Sequence, residues 1–261
     1  MKRAFGARAT FYALSWLGLC LGIAKAHAQD NSGLAPGRLP EPRAVIELFT
    51  SQGCSSCPPA DQTIAELSRD PTLIAMSVPI DYWDYLGWKD TLASPRHSAR
   101  QRGYAARRGD REIYTPQVVV NGVAQALGSD VRAIESAIAV SHTRPSTLTL
   151  PVKVASKGDQ MEVSVTPKDE SGGEGEVWLC ALTKNIPVAI KRGENRGRTI
   201  TYHNVVRRWV RLGKWSGAGQ TWTVAKSEIG GEGIDSVAVL VQAGNVENPG
   251  PIFGATMVPL E

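Results

Sequence analysis

The run Ala44-Val45-Ile46-Glu47-Leu48-Phe49-Thr50-Ser51-Gln52-Gly53-Cys54-Ser55-Ser56-Cys57-Pro58-Pro59-Ala60 decides how the rest of the chain is read. Ala44 to Phe49 is apolar except at Glu47 and has the length of a buried strand. Two prolines directly after Cys57 suit the first turn of a helix, where the missing N–H is no loss. Ser56 to Ser68 then carries Ala60, Ile64 and Leu67 at helical spacing and closes at Asp70-Pro71. Cys54 and Cys57 thus stand at a strand-to-helix turn, with two thiols within bonding reach on the first helical turn. Free N–H groups and the positive end of the helix dipole favour a thiolate at Cys54.

Outward from this run, strand and helix keep alternating to about Val140. Leu73–Ile80 reads as a second buried strand. Ser94-Pro95 supplies an N-cap and a proline at the first helical position, opening a helix to about Arg108. Val118–Val120 and Val123–Ala126 flank Asn121-Gly122, the signature of a tight hairpin. Ser129-Asp130 starts a last helix, in which Val131, Ile134 and Ile138 share a face. The order β-α-β-α-β-β-α is that of thioredoxin, so residues 44–143 are expected to form an α/β thioredoxin-like domain. Past Pro145 the pattern turns to period two, as in Thr147 to Val154 and Met161 to Val165, with further strands near 176–183, 205–212, 220–225 and 236–243. An all-β sandwich-like domain over residues 146–261 is expected from this.

Residues 1–28 have the pattern of a secretory signal peptide: Lys2, Arg3 and Arg8, an apolar core from Ala9 to Ala24, and the small-x-small site Ala26-His27-Ala28. Residues 29–43, rich in Pro, Gly and polar side chains, read as a flexible arm. The leader holds four of the 29 basic residues and none of the 25 acidic ones, leaving 25 of each sign in the remainder. The pI of 8.9 therefore belongs mostly to the leader, and net charge gives a nucleic-acid partner no support. The basic clusters Arg96–Arg111 and Lys191–Arg198 read as solvated, salt-bridged faces. No later segment is long and apolar enough to span a bilayer. A periplasmic or secreted protein is expected, in a compartment where disulfides persist.

A redox pair needs surroundings. Tyr114-Thr115-Pro116-Gln117 stands directly before the strand Val118–Val120, and a proline is tolerated at the first residue of a strand but not inside it. In a thioredoxin-like site such a proline is cis and faces the cysteines. Pro116 is therefore expected in cis, with Thr115 offering backbone to a substrate strand. Cys54 is expected to be exposed and nucleophilic, and Cys57, one turn further in, to resolve the mixed disulfide. Glu47 is a candidate for a buried acid that relays a proton to the second cysteine. Its alternatives are a strand-end charge or a partner for an arginine. The aromatic stretch Asp81–Asp90 follows the second strand, where loops of open α/β sheets flank a ligand crevice. Trp83, Tyr85 and Tyr114 are candidate substrate contacts; the alternative for the aromatic stretch is a sheet-edge cover or a domain interface. Cys180, in the apolar run Val177–Leu182, reads as a buried inert thiol. Lys191 to Asn204 holds more Gly, Arg and Asn than a strand connector needs, and is where the second half would fold back toward Cys54.

Four stretches together resemble a known family: Val45–Ala60, Asp81–Trp88, Tyr114–Val118 and Gly193-Glu194-Asn195-Arg196-Gly197-Arg198. It comprises exported bacterial proteins with a thioredoxin-like N-terminal domain and an all-β C-terminal domain, grouped as a domain of unknown function. The resemblance implies that fold and a candidate redox site, without an established substrate. Thr115 before Pro116 is also similar to the periplasmic disulfide isomerases. The expected activity is thiol–disulfide exchange on exported protein thiols and disulfides, with a separate redox partner and neither cofactor nor metal. Two readings stay open beside it. Two thiols and one histidine also hold copper, as in a carrier. A non-catalytic envelope binding protein would use the pair as a structural disulfide. A structural zinc site lacks its further ligands, because His97, His142 and His203 are scattered singles.

Overall fold

The strand Ala44–Thr50 (β1) is buried along its whole length because both of its faces are covered. Ala44, Ile46 and Leu48 enter a core with Ala60 and Ile64 of the helix Pro58–Leu67 (α1) and Ile134 and Ile138 of the helix Val131–Ser141 (α3). Val45 and Phe49 point the other way, into a core with Tyr104 of the helix Pro95–Arg108 (α2). This is why the sequence shows a continuous apolar run rather than alternation. Leu73–Pro79 (β2) runs parallel to β1, Ala44 opposite Leu73, and Gln117–Val120 (β3) lies antiparallel on its other side. Ala124–Leu127 (β4) closes a hairpin through Asn121 and Gly122, both at positive φ as this tight turn demands. The capping side chains act as read: Ser94 accepts from the Arg96 N–H and Asp130 from the Ala133 N–H. The computed structural model describes residues 41–167 and 173–260. The leader at 1–28 and residues 29–40 of the arm lie outside the described residues, as do 168–172 and Glu261.

The expected fold class, an α/β thioredoxin-like domain followed by an all-β sandwich-like domain, is overturned. The second half contributes Val152–Lys157 (β5), Gln160–Val165 (β6), Gly175–Ala189 (β7), Thr199–Trp215 (β8), Gln220–Ala225 (β9), the short helix Lys226–Ile229 (α4), Ser236–Gly244 (β10) and Pro249–Pro259 (β11). Four of these strands join the first half in one mixed sheet of eight, in the order β11-β10-β7-β8-β2-β1-β3-β4. The remaining three form a separate sheet, β5-β6-β9. The protein is mainly β, with few helices laid on a continuous sheet.

The joint lies between β2 and β8, which run parallel with Ser77 opposite Val205. Asn204, at φ 44°, donates its side-chain N–H to the Ala75 carbonyl at 2.9 Å and extends the seam. One apolar core crosses it, from Val45 and Phe49 to Trp178, Leu182 and Leu240. On the opposite face, α1 and α3 cover the first-half strands. The small sheet covers the second-half strands there, with Met161, Val163 and Trp222 against Val177, Leu179 and Val239. Period-two alternation marks a strand and its buried face, but it does not say which strand lies along its edge. β7 and β8, at 15 and 17 residues, also overrun the segments expected near 176–183 and 205–212, although the pairing with β2 falls at Val205, the first residue of the expected segment. Among the described residues no helix is long and apolar enough to cross a membrane.

Candidate functional site

Cys54 and Cys57 form a disulfide with their Cα atoms 5.4 Å apart. The chain leaves β1 at Thr50 and turns through Ser51-Gln52-Gly53, where the Cys54 N–H donates to the Ser51 carbonyl at 3.2 Å. The Cys57 N–H donates to the Cys54 carbonyl at 3.2 Å, and Cys57 is the N-cap of α1. The expected strand-to-helix turn is therefore in place. The exposure of Cys54 is not: both cysteines are 0% exposed, while Ser55 and Ser56 between them face solvent.

The turn that carries the sulfurs is bonded from the second half. β7 and β8 pair as a long hairpin out to Ala189 opposite Thr199, and the tip between them, residues 190–198, arches over the disulfide turn. Asn195 is 1% exposed and donates from one side-chain nitrogen to the Gln52 carbonyl at 3.0 Å and the Cys54 carbonyl at 2.8 Å. Glu194 accepts from the Ser55 N–H at 3.2 Å. The tip holds its own shape: the Gly197 N–H donates to the Ile190 carbonyl, the Ile190 N–H to the Arg198 carbonyl, and Gly193 and Gly197 supply the two positive φ angles. The Gly, Arg and Asn density between Lys191 and Asn204 was the sequence signal for this cap.

A second layer fixes the turn from the side of the aromatic stretch. Gln52 donates its N–H to Asp90 at 2.8 Å and its side-chain N–H to Thr91, while its side-chain oxygen accepts from Trp88 Nε1 at 2.8 Å. Burial pushes the Asp90 carboxyl up to about 6, against the backbone N–H groups of Gln52, Leu92 and Ala93 that hold it down. Asp61, one turn beyond Cys57, accepts from the Thr50 hydroxyl at 2.7 Å, and its other oxygen is buried without a partner. Burial pushes its carboxyl up to about 7. Sequence reading gave Gln52 and Asp61 no role, the one sign being an acid amid the apolar positions of α1, and took Asp90 only as the end of the aromatic stretch.

The remaining candidates divide. Thr115-Pro116 is the one cis peptide among the described residues. The Thr115 carbonyl lies 3.5 Å from the Ser56 hydroxyl, which in turn lies 3.4 Å from Cys54 Sγ. Trp83 Nε1 donates to the Thr115 hydroxyl at 2.8 Å, so this aromatic side chain is tied to the site. Tyr114 is half-buried, its carbonyl held by Gln101, and Tyr85 is 79% exposed on the 3-10 turn Asp84–Leu86. Glu47 is not behind the pair. It lies on the α2 face of β1, whereas α1 and the disulfide lie on the other, and it is bonded to Arg100 at 2.6 Å. Cys180 is free and fully buried, and burial pushes its thiol up. No group of three or more His, Cys, Asp or Glu among the described residues is placed to hold a metal.

The chain belongs to the family described as "Protein of unknown function (DUF1223)", whose model matches residues 45–242. The crystal structure of protein AGR_C_4864 from Agrobacterium tumefaciens is similar, with a TM-score of 0.75 and 32% identity over 85% of this chain and 96% of that one. HBP35 of Porphyromonas gingivalis shares the fold at a TM-score of 0.57, with 15% identity over 84% of this chain and 76% of the other. No curated protein matches the sequence.

Proposed function

We propose that the chain is an exported thiol–disulfide oxidoreductase that exchanges with protein thiols and disulfides through Cys54 and Cys57. One observation carries the reading: the disulfide sits at the mouth of α1, and a hairpin tip closes over its turn through a few polar bonds. Such a cover opens without unfolding the sheet, since local opening of a loop involves far fewer contacts than global unfolding. The leader pattern at residues 1–28 supports export.

In the oxidising direction a substrate thiolate attacks Cys54 Sγ and the Cys54–Cys57 bond breaks. The bond's electron pair leaves on Cys57, which takes up a proton. A second substrate thiolate attacks the substrate sulfur of the mixed disulfide and releases Cys54. The substrate gains a disulfide, the pair becomes a dithiol, and a disulfide-bearing partner restores it. The reverse sequence reduces or rearranges a substrate disulfide.

Insulin reduction and refolding of a scrambled-disulfide substrate test this. The purified protein is expected to turn over in at least one assay, and Cys54→Ser to lose the activity. Full activity in Cys54→Ser, or no exchange by the wild type, removes the reading. The burial of both cysteines favours a second one, in which the pair is a structural staple of a non-catalytic envelope protein. That reading requires the pair to resist reduction by glutathione.

A further inference from the structure

The cap places four cations beside the disulfide turn. Lys191, Arg192, Arg196 and Arg198 are all exposed, and among the described residues none of them forms an ion pair. Among the described residues the Arg198 guanidinium bonds only the Asn195 side-chain oxygen, at 3.4 Å. The one carboxylate of the tip, Glu194, is engaged by the Ser55 N–H. This differs from the solvated, salt-bridged face that the cluster suggested in the sequence. With the chain outside the leader evenly balanced in charge, the concentration of unpaired positive charge at this tip is a local feature.

Resting on the exchange reading above, we infer that the β7–β8 tip is a docking surface for acidic polypeptide, and that the protein acts on cysteines flanked by Asp and Glu. The chemistry is charge complementarity: a carboxylate-rich segment laid along the tip meets three arginines and a lysine. The Ser55-Ser56 face of the disulfide turn lies next to it, through the Glu194–Ser55 bond. Arginine guanidinium groups take carboxylates in paired hydrogen bonds, which fixes orientation as well as attraction. Positive potential at an exposed tip also raises encounter rates with anionic partners, and salt screens it over about 8 Å at physiological ionic strength.

Short peptides of one length, with a single central cysteine flanked by glutamates, glutamines or lysines, provide the test on the oxidised protein. Each rate of mixed-disulfide formation is divided by the same peptide's rate with hydroxyethyl disulfide, which removes differences in thiol reactivity. The glutamate peptide is expected to react about tenfold faster than the lysine peptide at low ionic strength, with the preference collapsing as salt is added. Arg192→Gln/Arg196→Gln is expected to lower that preference threefold or more. Matching serine peptides, followed by fluorescence anisotropy, read docking without chemistry. Binding of the serine–glutamate peptide with no exchange by any cysteine peptide would sustain the docking surface and sink the exchange reading. Equal or reversed rates and binding for the glutamate and lysine peptides would overturn the docking surface. So would binding to vesicles of anionic phospholipid with no discrimination among peptides.

Discussion

Glu47→Ala is expected to destabilise the fold by about 3–5 kcal/mol, the cost of leaving one partner of a buried ion pair alone. Glu47 and Arg100 are both 0% exposed. Arg100 Nε and Nη2 reach the two carboxylate oxygens at 2.6 and 3.0 Å, and the Tyr104 hydroxyl donates to the same carboxylate at 2.5 Å. Nη2 also reaches Gln242 at 2.9 Å, which ties α2 to β10 in the other half of the sheet. The guanidinium lies over the Trp209 ring at 4.3 Å. Burial alone would lower its proton affinity; the Glu47 carboxylate, together with Tyr104, offsets this and keeps Arg100 charged. Without Glu47 that charge has no counter-ion, and Nη1 already lacks a partner. The double replacement Glu47→Leu/Arg100→Met is expected to recover most of the loss, because a well-packed apolar pair avoids the desolvation of both charges. Urea unfolding of the two single variants and the double variant closes this cycle. A Glu47→Ala loss below about 1 kcal/mol would show that the pair does not carry the joint between the halves.

The first half of the chain was legible because its signals are local. Pro58-Pro59, Ser94-Pro95, Asn121-Gly122 and Asp130 each specify their own turn or cap within a few residues, and all of them act as the sequence suggests. The disulfide was legible for the same reason. What failed was long-range pairing. The seam between β2 and β8 joins Ser77 to Val205, and nothing in the alternation of either segment encodes that neighbour. Glu47 shows the same limit in miniature. An acid in an apolar strand signals a buried partner, but the partner lies 53 residues away on the helix packed against that face of the strand. The burial of Cys54 was not foreseen, and its turn is held by Asn195, 141 residues downstream.

Asn195→Ala is expected to speed reduction of the Cys54–Cys57 disulfide about ten- to thirtyfold. Asn195 makes two buried hydrogen bonds from the cap to the disulfide turn, and each contributes about 1 kcal/mol net. If a reductant reaches the sulfurs only from the open form, its rate scales with the population of that form, and about 2 kcal/mol is a factor near thirty. The same change is expected to shift global unfolding little, because the β7–β8 ladder and its cores are untouched. Alkylation of newly freed thiols during dithiothreitol treatment, followed by mass spectrometry, gives the rate. An unchanged rate would mean that Asn195 does not hold the cap shut.

The proposed exchange activity rests on whether the capped pair is a working redox couple. Equilibration of the protein in glutathione buffers, with acid quenching and thiol counting at Cys54 and Cys57, measures this directly. The expected result is a reversible two-electron titration with a midpoint between about −120 and −270 mV, the range of proteins that exchange disulfides. A pair that stays fully oxidised below about −300 mV would contradict the account and identify the bond as a structural staple.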